Sequence, residues 1–159
     1  MRILITGAGG QLGRELVEVF HGHDVVAVDH ATVDVADRDA VLGLVTTVAP
    51  DAIVNAAAWT AVDANEGDHD KAWAVNALAV RHLADGARRV GATVCQVSTD
   101  YVFDGTQPDP YVEWDRPNPA SMYGRSKYGG ELELGPEHTI VRTSWVCGFH
   151  GANMVKTIL

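Results

Sequence analysis

The stretch RILITGAGGQLGR, residues 2–14, runs from a β-branched segment through four glycines into residues of helical character. No other feature constrains the fold as strongly. A strand that turns directly into a helix through glycine forms a βα unit. A Cβ at Gly7, Gly10 or Gly13 would obstruct the tight turn, or the approach of backbone N–H groups to a pyrophosphate at the helix N-terminus. An ordinary glycine-rich turn has the same composition, but the position between a first strand and a first helix is the context a dinucleotide site requires.

The rest of the chain repeats that pattern. Strand-like runs at 2–6, 24–29, 52–57, 93–98 and 138–145 alternate with helical stretches beginning near Gln11, Asp37, His69 and Tyr123. Alternation of this kind predicts an α/β fold, a Rossmann-like doubly wound parallel sheet. The strands are nearly continuous Val, Ile and Ala, as expected where helices cover both faces. From residue 69 one long helix is predicted, with Ala72, Val75, Leu78, Ala79, His82, Leu83 and Ala87 on its sheet-facing stripe and Gly91 as its stop. Residues 104–119 form a Pro-, Asp- and Gly-rich loop expected to frame a pocket, and the helix after it is predicted to run from about Tyr123 to Leu134. GANMVKTIL at the end resembles the first turns of a further helix.

With 159 residues, 47% of them hydrophobic, the chain is one domain with a real core. A net charge of −9 argues against nucleic-acid or anionic-membrane partners. The opening apolar run is too short to cross a bilayer, so a cytoplasmic protein is expected. Cys95 and Cys147 have no CxxC spacing and read as reduced thiols.

Asp29 ends the second strand 22 positions after Gly7, where a carboxylate accepts hydrogen bonds from an adenosine ribose. It favours NADH over NADPH by repelling a 2′-phosphate, although Arg14 nearby leaves NADPH open. Asp34 is a candidate for the adenine amine, with Val35 packed beside it, while Asp37 is placed to cap the next helix.

Tyr123 and Lys127 in YGRSK stand four apart on a helix, so phenol and ammonium share a face. An ammonium there is expected to pull the phenol below its usual value near 10, toward the working range of a proton donor. Thr99 lies at the C-terminal end of the fourth strand, the edge where open α/β sheets bind ligands. Asn76 lies inside the long helix, where its side chain is placed to order a water or the lysine.

TGAGGQLG, VNAAAWTAVDANE, VSTDYVFDG, YGRSKYGGE and VRTSWV occur together and in order. With them the chain resembles the extended short-chain dehydrogenase/reductases, and among these the dTDP-4-dehydrorhamnose reductase family. The resemblance implies reduction of the 4-keto group of dTDP-6-deoxy-L-lyxo-4-hexulose to dTDP-L-rhamnose with NADPH or NADH. It implies that Thr99 hydrogen-bonds the keto oxygen, Tyr123 protonates it, and Lys127 tunes Tyr123 and holds the nicotinamide ribose. It further implies that Asp100 and Trp145 touch the nucleotide-sugar. The cofactor set expected from it and from the motifs is Gly7, Gly10, Gln11, Leu12, Gly13, Asp29, Asp34, Val35, Ala56, Ala57, Ala58, Thr60, Asn76, Tyr123 and Lys127. Relatives that eliminate water resemble STDEVYG; Tyr101 stands here in place of that Glu, so a single hydride delivery is the expected chemistry.

Members of that family also have a C-terminal lobe that closes over the substrate, and these 159 residues are expected to lack it. The family is linked to magnesium, and Glu15 matches a carboxylate that takes part, with partners expected in the absent lobe; no metal ligand is assigned here. A homodimer is the assembly left open. Two other readings stay in view. One is a reductase of another 4-keto sugar nucleotide. The other is a cofactor-binding regulatory module, like the regulatory subunit of methionine adenosyltransferase.

Overall fold

The computed structural model describes residues 1–159. Five strands, β1 (Arg2–Thr6), β2 (Asp24–Val28), β3 (Ala52–Asn55), β4 (Thr93–Thr99) and β5 (Thr139–Thr143), form one sheet in the order β2-β1-β3-β4-β5. Every pairing is parallel. The connections run to opposite sides from β1, so the order reverses between β1 and β3. Chain crossovers there leave a crevice beyond the C-terminal strand ends. The Rossmann-like α/β fold follows from this arrangement.

Helices α1 (Gln11–Val19), α2 (Arg38–Val48), α3 (Val62–Asn65), α4 (His69–Trp73), α5 (Ala79–Val90), α6 (Met122–Glu131) and α7 (Met154–Ile158) connect or follow the strands. One face of the sheet carries the larger core, in which Leu4 and Ile53 meet Val41 and Val45 of α2 and Leu83 of α5. Ile3, Ile5 and Val54 face the other way, against Leu16 of α1 and Phe20 at its C-terminal end. Asp37 caps α2 by accepting from the amides of Asp39 (3.0 Å) and Ala40 (3.1 Å). Gly91, with φ of 75°, ends α5.

Three local predictions differ from the structure. The long helix from residue 69 is not uniform: Ala74–Leu78 is a π-helical turn between α4 and α5. Its extra residue lets Asn76 point into the interior, a frequent device at functional sites. The last helix before β5 ends at Glu131 rather than near Leu134, because Glu133 and Leu134 close tighter bonds to Gly130 and Glu131. Finally, loop 104–119 contributes no side chain to the walls of either cavity described below.

That loop is instead tied to itself. Asp104 accepts from the Thr106 amide (3.0 Å) and hydroxyl (2.7 Å), the Tyr111 hydroxyl (2.8 Å) and Asn118 Nδ2 (2.7 Å). Phe103 and Tyr111 stack at 4.1 Å. These donors, those of Thr106 first, hold the Asp104 carboxyl far below its ordinary value. A depressed acid contributes its stability above the unfolded-state value near 4 and loses it as pH falls through the folded value. Wild type is therefore expected to exceed Asp104→Asn in melting temperature at pH 7, with the gap closing only in strong acid. Melting curves recorded across that range check this; a gap already closed at pH 4 would contradict it.

Candidate active site

A row of buried polar side chains underlies the C-terminal edge of the sheet. Thr6 Oγ1 donates to Asn55 Oδ1 (2.6 Å), Asn55 Nδ2 to Gln96 Oε1 (2.6 Å), and Gln96 Nε2 to the Val97 carbonyl (2.8 Å). No buried side-chain nitrogen or oxygen is left without a partner. The first two links join neighbouring strands and the third closes within β4, so the row locks the ends of β1, β3 and β4 into one rigid rim beneath the crevice.

The glycine loop sits on that rim. Gly7 has φ of +71°, and a Cβ on it would stand 2.6 Å from the Ala57 nitrogen. A Cβ on Gly13 would meet Ala8 Cα at 2.6 Å. Only glycine lets α1 and the chain after β3 approach this closely. Two cavities open over the loop, each of about 530 Å³. Gly10, Ala56 and Ala58 line both.

Gly7, Asp29, Val35 and Ala57, all expected at the cofactor, line the first cavity. One oxygen of Asp29 accepts from the amides of Ala31 (3.0 Å) and Thr32 (3.2 Å). Its other oxygen faces the glycine loop, 3.3 Å from where a Gly9 Cβ would be. Asp34 belongs to neither wall: it is exposed and accepts from the Ala36 amide (2.9 Å) in a local turn. His30, Trp59 and Lys71 line the first cavity without having been anticipated, and the Lys71 ammonium lies 4.4 Å from the centre of the Trp59 ring. Trp59 lies inside the AAAWT motif and was in principle legible; Lys71 comes from α4 and carries no local signal.

The second cavity gathers Gln11, Leu12, Gly13, Thr60, Thr99, Asp100, Tyr123, Lys127 and Trp145. Thr99 ends β4 and starts a short 3₁₀ turn over Asp100–Val102. Its hydroxyl donates to Asp100 Oδ1 (3.1 Å) and accepts from the Tyr101 amide (3.2 Å). Ser121 caps α6 by accepting from the Gly124 amide (3.1 Å), which sets Tyr123 in the first turn. The Tyr123 ring packs edge-on against Tyr101 at 5.6 Å. Trp145, 72% exposed and with φ of +52°, stands over the cavity in a conformation unusual for a bulky residue.

Electrostatics here differ from expectation. Burial raises the Tyr123 pKa, the Thr99 hydrogen bond opposes the rise, and Lys127 is not among the groups acting on it. The reason is geometric: Lys127 turns its ammonium to the Val97 carbonyl, 2.7 Å away. Burial lowers Lys127 to about 8, and the nearby Glu131 carboxylate pushes it back up. At neutral pH the site thus holds a protonated phenol beside a threonine hydroxyl, with an ammonium behind them.

Asn76 lies on neither cavity wall. It accepts from the Trp59 amide (2.8 Å) and donates to the Trp59 carbonyl (3.2 Å) and Ser126 Oγ (3.0 Å). It therefore clasps the backbone that runs between the two cavities rather than reaching Lys127. Asn76→Ala would leave the part-buried Trp59 amide without its side-chain partner, at a cost of about 1 kcal/mol or more. A melting-temperature drop together with weaker cofactor binding is expected; intact binding by calorimetry would show that the clasp does not hold the site.

Glu15 finds its partner within these residues. Its Oε1 accepts from the His150 amide (3.0 Å) and lies 3.2 Å from His150 Nδ1, with Glu18 on the ring's other side. The three side chains gather within 4.8 Å. Magnesium prefers octahedral oxygen ligands and several waters; an imidazole that already engages the shared carboxylate oxygen does not fit it. The pair instead pins the segment after Trp145 to α1, as does Gln11 Nε2, which donates to the Val146 carbonyl (2.6 Å). No helix is long and apolar enough to cross a membrane.

Known proteins share this architecture. A dTDP-4-dehydrorhamnose reductase of Aggregatibacter actinomycetemcomitans is 44% identical over 99% of the chain and 56% of its own length. A dTDP-4-keto-6-deoxy-D-glucose reductase of Streptomyces niveus is 42% identical over 99% and 57%. The crystal structure of a dTDP-4-dehydrorhamnose reductase from Bacillus anthracis in complex with NADP superposes with a TM-score of 0.95, at 40% identity, over 99% of this chain and 58% of that one. The chain thus spans just over half the length of these relatives. The family model for the RmlD substrate binding domain matches residues 1–159, and with the glycine loop, the Thr–Tyr–Lys cavity and these relatives in agreement, the chain belongs to that family.

Proposed function

We propose that the protein reduces the 4-keto group of dTDP-6-deoxy-L-lyxo-4-hexulose to give dTDP-L-rhamnose, using NADPH or NADH. The observation that carries this reading is the convergence of Thr99, Tyr123 and Lys127 on one cavity that adjoins the glycine loop. The glycine cradle and the Asp29 carboxylate fit a dinucleotide: Gly7, Gly10 and Gly13 for the pyrophosphate, Asp29 for the adenosine ribose, and Ala56–Ala58 with Val35 around the adenosine. When bound, the dihydronicotinamide supplies the hydride.

The chain's own groups do the rest. With substrate present, the Thr99 hydroxyl would turn its one proton from Asp100 to the keto oxygen and orient it. Tyr123, kept protonated by its burial, gives its phenolic proton to that oxygen as negative charge develops there. The Lys127 ammonium, seated on the Val97 carbonyl of β4 rather than on the phenol, would hold the nicotinamide ribose. Asp100 and Trp145, which line the same cavity, are the residues assigned to the nucleotide-sugar. Asp29 favours NADH, while the Bacillus anthracis relative was crystallised with NADP, so both donors belong in the assay. Free thiols at Cys95 and Cys147 suit a reducing, cytoplasmic setting.

The deciding experiment supplies the full-length protein with dTDP-6-deoxy-L-lyxo-4-hexulose and follows NADH and NADPH oxidation separately. Oxidation with either supports the reading. Absence of oxidation with both, in a protein shown to bind the cofactor, sinks it and favours a regulatory module. Activity restricted to dTDP-4-keto-6-deoxy-D-glucose would select the second reading, motivated by the Streptomyces niveus relative.

A further inference from the structure

Helix α6 places Glu131 one more step of four beyond Tyr123 and Lys127, on the same face. The chemistry above makes no use of it, yet it is as deeply buried as the lysine, 5% exposed against 4%. A buried carboxylate persists only where it is paired. Glu131 Oε1 accepts from Ser98 Oγ at 2.5 Å, and Arg142 of β5 holds both oxygens, with Nε at 3.0 Å from Oε1 and Nη2 at 2.6 Å from Oε2. Lys127 and Glu131 thus bind consecutive residues of β4, the Val97 carbonyl and the Ser98 hydroxyl. The next residue is Thr99.

We propose that Glu131 is a positioning residue for the reaction: a buried anion, clamped by Ser98 and Arg142, that supplies the counter-charge to the Lys127 ammonium and fixes α6 against the strand end presenting Thr99. Its catalytic consequence rests on the reduction proposed above; its effect on Lys127 does not.

Arg142 is ion-paired with Glu131, whereas Lys127, one helical step away, bonds the Val97 carbonyl and feels the carboxylate through its charge. Arg142 competes with Lys127 for it, and Arg142 is itself anchored over the Phe103 ring, 5.1 Å from its guanidinium carbon. The other charged or titratable groups around this part of α6 are Asp100 beyond β4, Tyr123 toward the cavity, Tyr128 beside Arg142, and the Arg81–Glu133 pair where α5 meets α6. Of the carboxylates, Glu131 is the one that acts on Lys127, and it opposes the lowering due to burial. Loss of Glu131 leaves Lys127 with an uncompensated cation behind it. Loss of Arg142 frees Glu131 for Lys127.

The test follows the titration of lysine ε-carbons by NMR in the intact protein. Lys71, Lys127 and Lys156 are the three lysines of these residues, and Lys127→Arg assigns the signal. In Glu131→Gln the Lys127 midpoint is expected to fall, by on the order of one pH unit. In Arg142→Met it is expected to rise by a similar amount. A packing role alone would act differently: a loosened core admits water, and both variants would drift up toward the ordinary value near 10.4. A midpoint that rises or stays put in Glu131→Gln overturns the proposal, as does a fall in Arg142→Met. Should Glu131→Gln not fold, the partly exposed Arg142 on its edge strand carries the test. In turnover, the high-pH limb of kcat should move with the midpoint in each variant while KM holds. The expected midpoint shifts in the two variants, together with a wild type that oxidises neither cofactor, would support this placement of Glu131 and overturn the reduction instead.

Discussion

Tyr123→Phe is expected to lower kcat by about 10²–10⁴-fold, the range lost with a positioned general acid, or roughly 3–5 kcal/mol of transition-state stabilisation. The substitution removes one oxygen and little else. The ring keeps its edge-on contact with Tyr101, and Thr99 keeps its bonds to Asp100 and the Tyr101 amide. Fold and melting temperature should hold. Tyr123 does not line the cavity that holds Gly7 and Asp29, so cofactor affinity should change by no more than about twofold, well under the 1.4 kcal/mol that a tenfold change requires. Steady-state kinetics on the full-length protein, paired with a cofactor titration, separate the two quantities. A Phe variant retaining a tenth of wild-type kcat would remove Tyr123 from the proton-donor role and shift attention to Thr99.

Gly7→Ala is expected to damage both fold and cofactor binding. At φ of +71° an alanine costs roughly 1–2 kcal/mol in the left-handed region. Its Cβ also meets the backbone of Ala56 and Ala57 at 2.6–2.7 Å, and backbone in a locked strand edge cannot rotate away. Overpacking adds about 1–3 kcal/mol, which for a domain of this size corresponds to a fall in melting temperature of roughly 2–4 °C per kcal/mol. The same displacement moves amides away from a bound pyrophosphate. Loss of about 3 kcal/mol of such contacts weakens NADPH binding roughly 100-fold. Gly43→Ala in α2 is the control, since nothing lies within 4 Å of the added methyl; it should be neutral, or stabilising by about 0.5–1 kcal/mol. Wild-type cofactor affinity in Gly7→Ala would mean that the dinucleotide binds elsewhere.

The two variants probe features that differ in how they can be seen. Gly7 and the YGRSK spacing are short-range facts. A turn without Cβ and a helical interval of four are set by residues a few positions apart, so local sterics and periodicity disclose them. The strand–helix alternation is of the same kind, and it led to the parallel sheet. Short-range reasoning failed where geometry beyond one element intervened. The π turn at Ala74–Leu78 interrupts a regular apolar stripe and redirects Asn76. The Lys127 ammonium turns to a carbonyl on β4 instead of acting on its helical neighbour Tyr123.

The sequence alone thus determined the βα architecture, the glycine turn and the shared helical face of Tyr123 and Lys127, because each depends on backbone freedom or on spacing within one segment. The tertiary structure alone decided what surrounds them: the Thr6–Asn55–Gln96 row, the clasp of Asn76 on Trp59, the pinning of His150 to Glu15 and the burial of Glu131 between Ser98 and Arg142. Most of these partners come from different strands and helices, and the Glu15 and His150 positions lie 135 residues apart. Burial and hydrogen bonding at such separations depend on how the sheet brings its edges together, and that leaves no periodic trace in the chain.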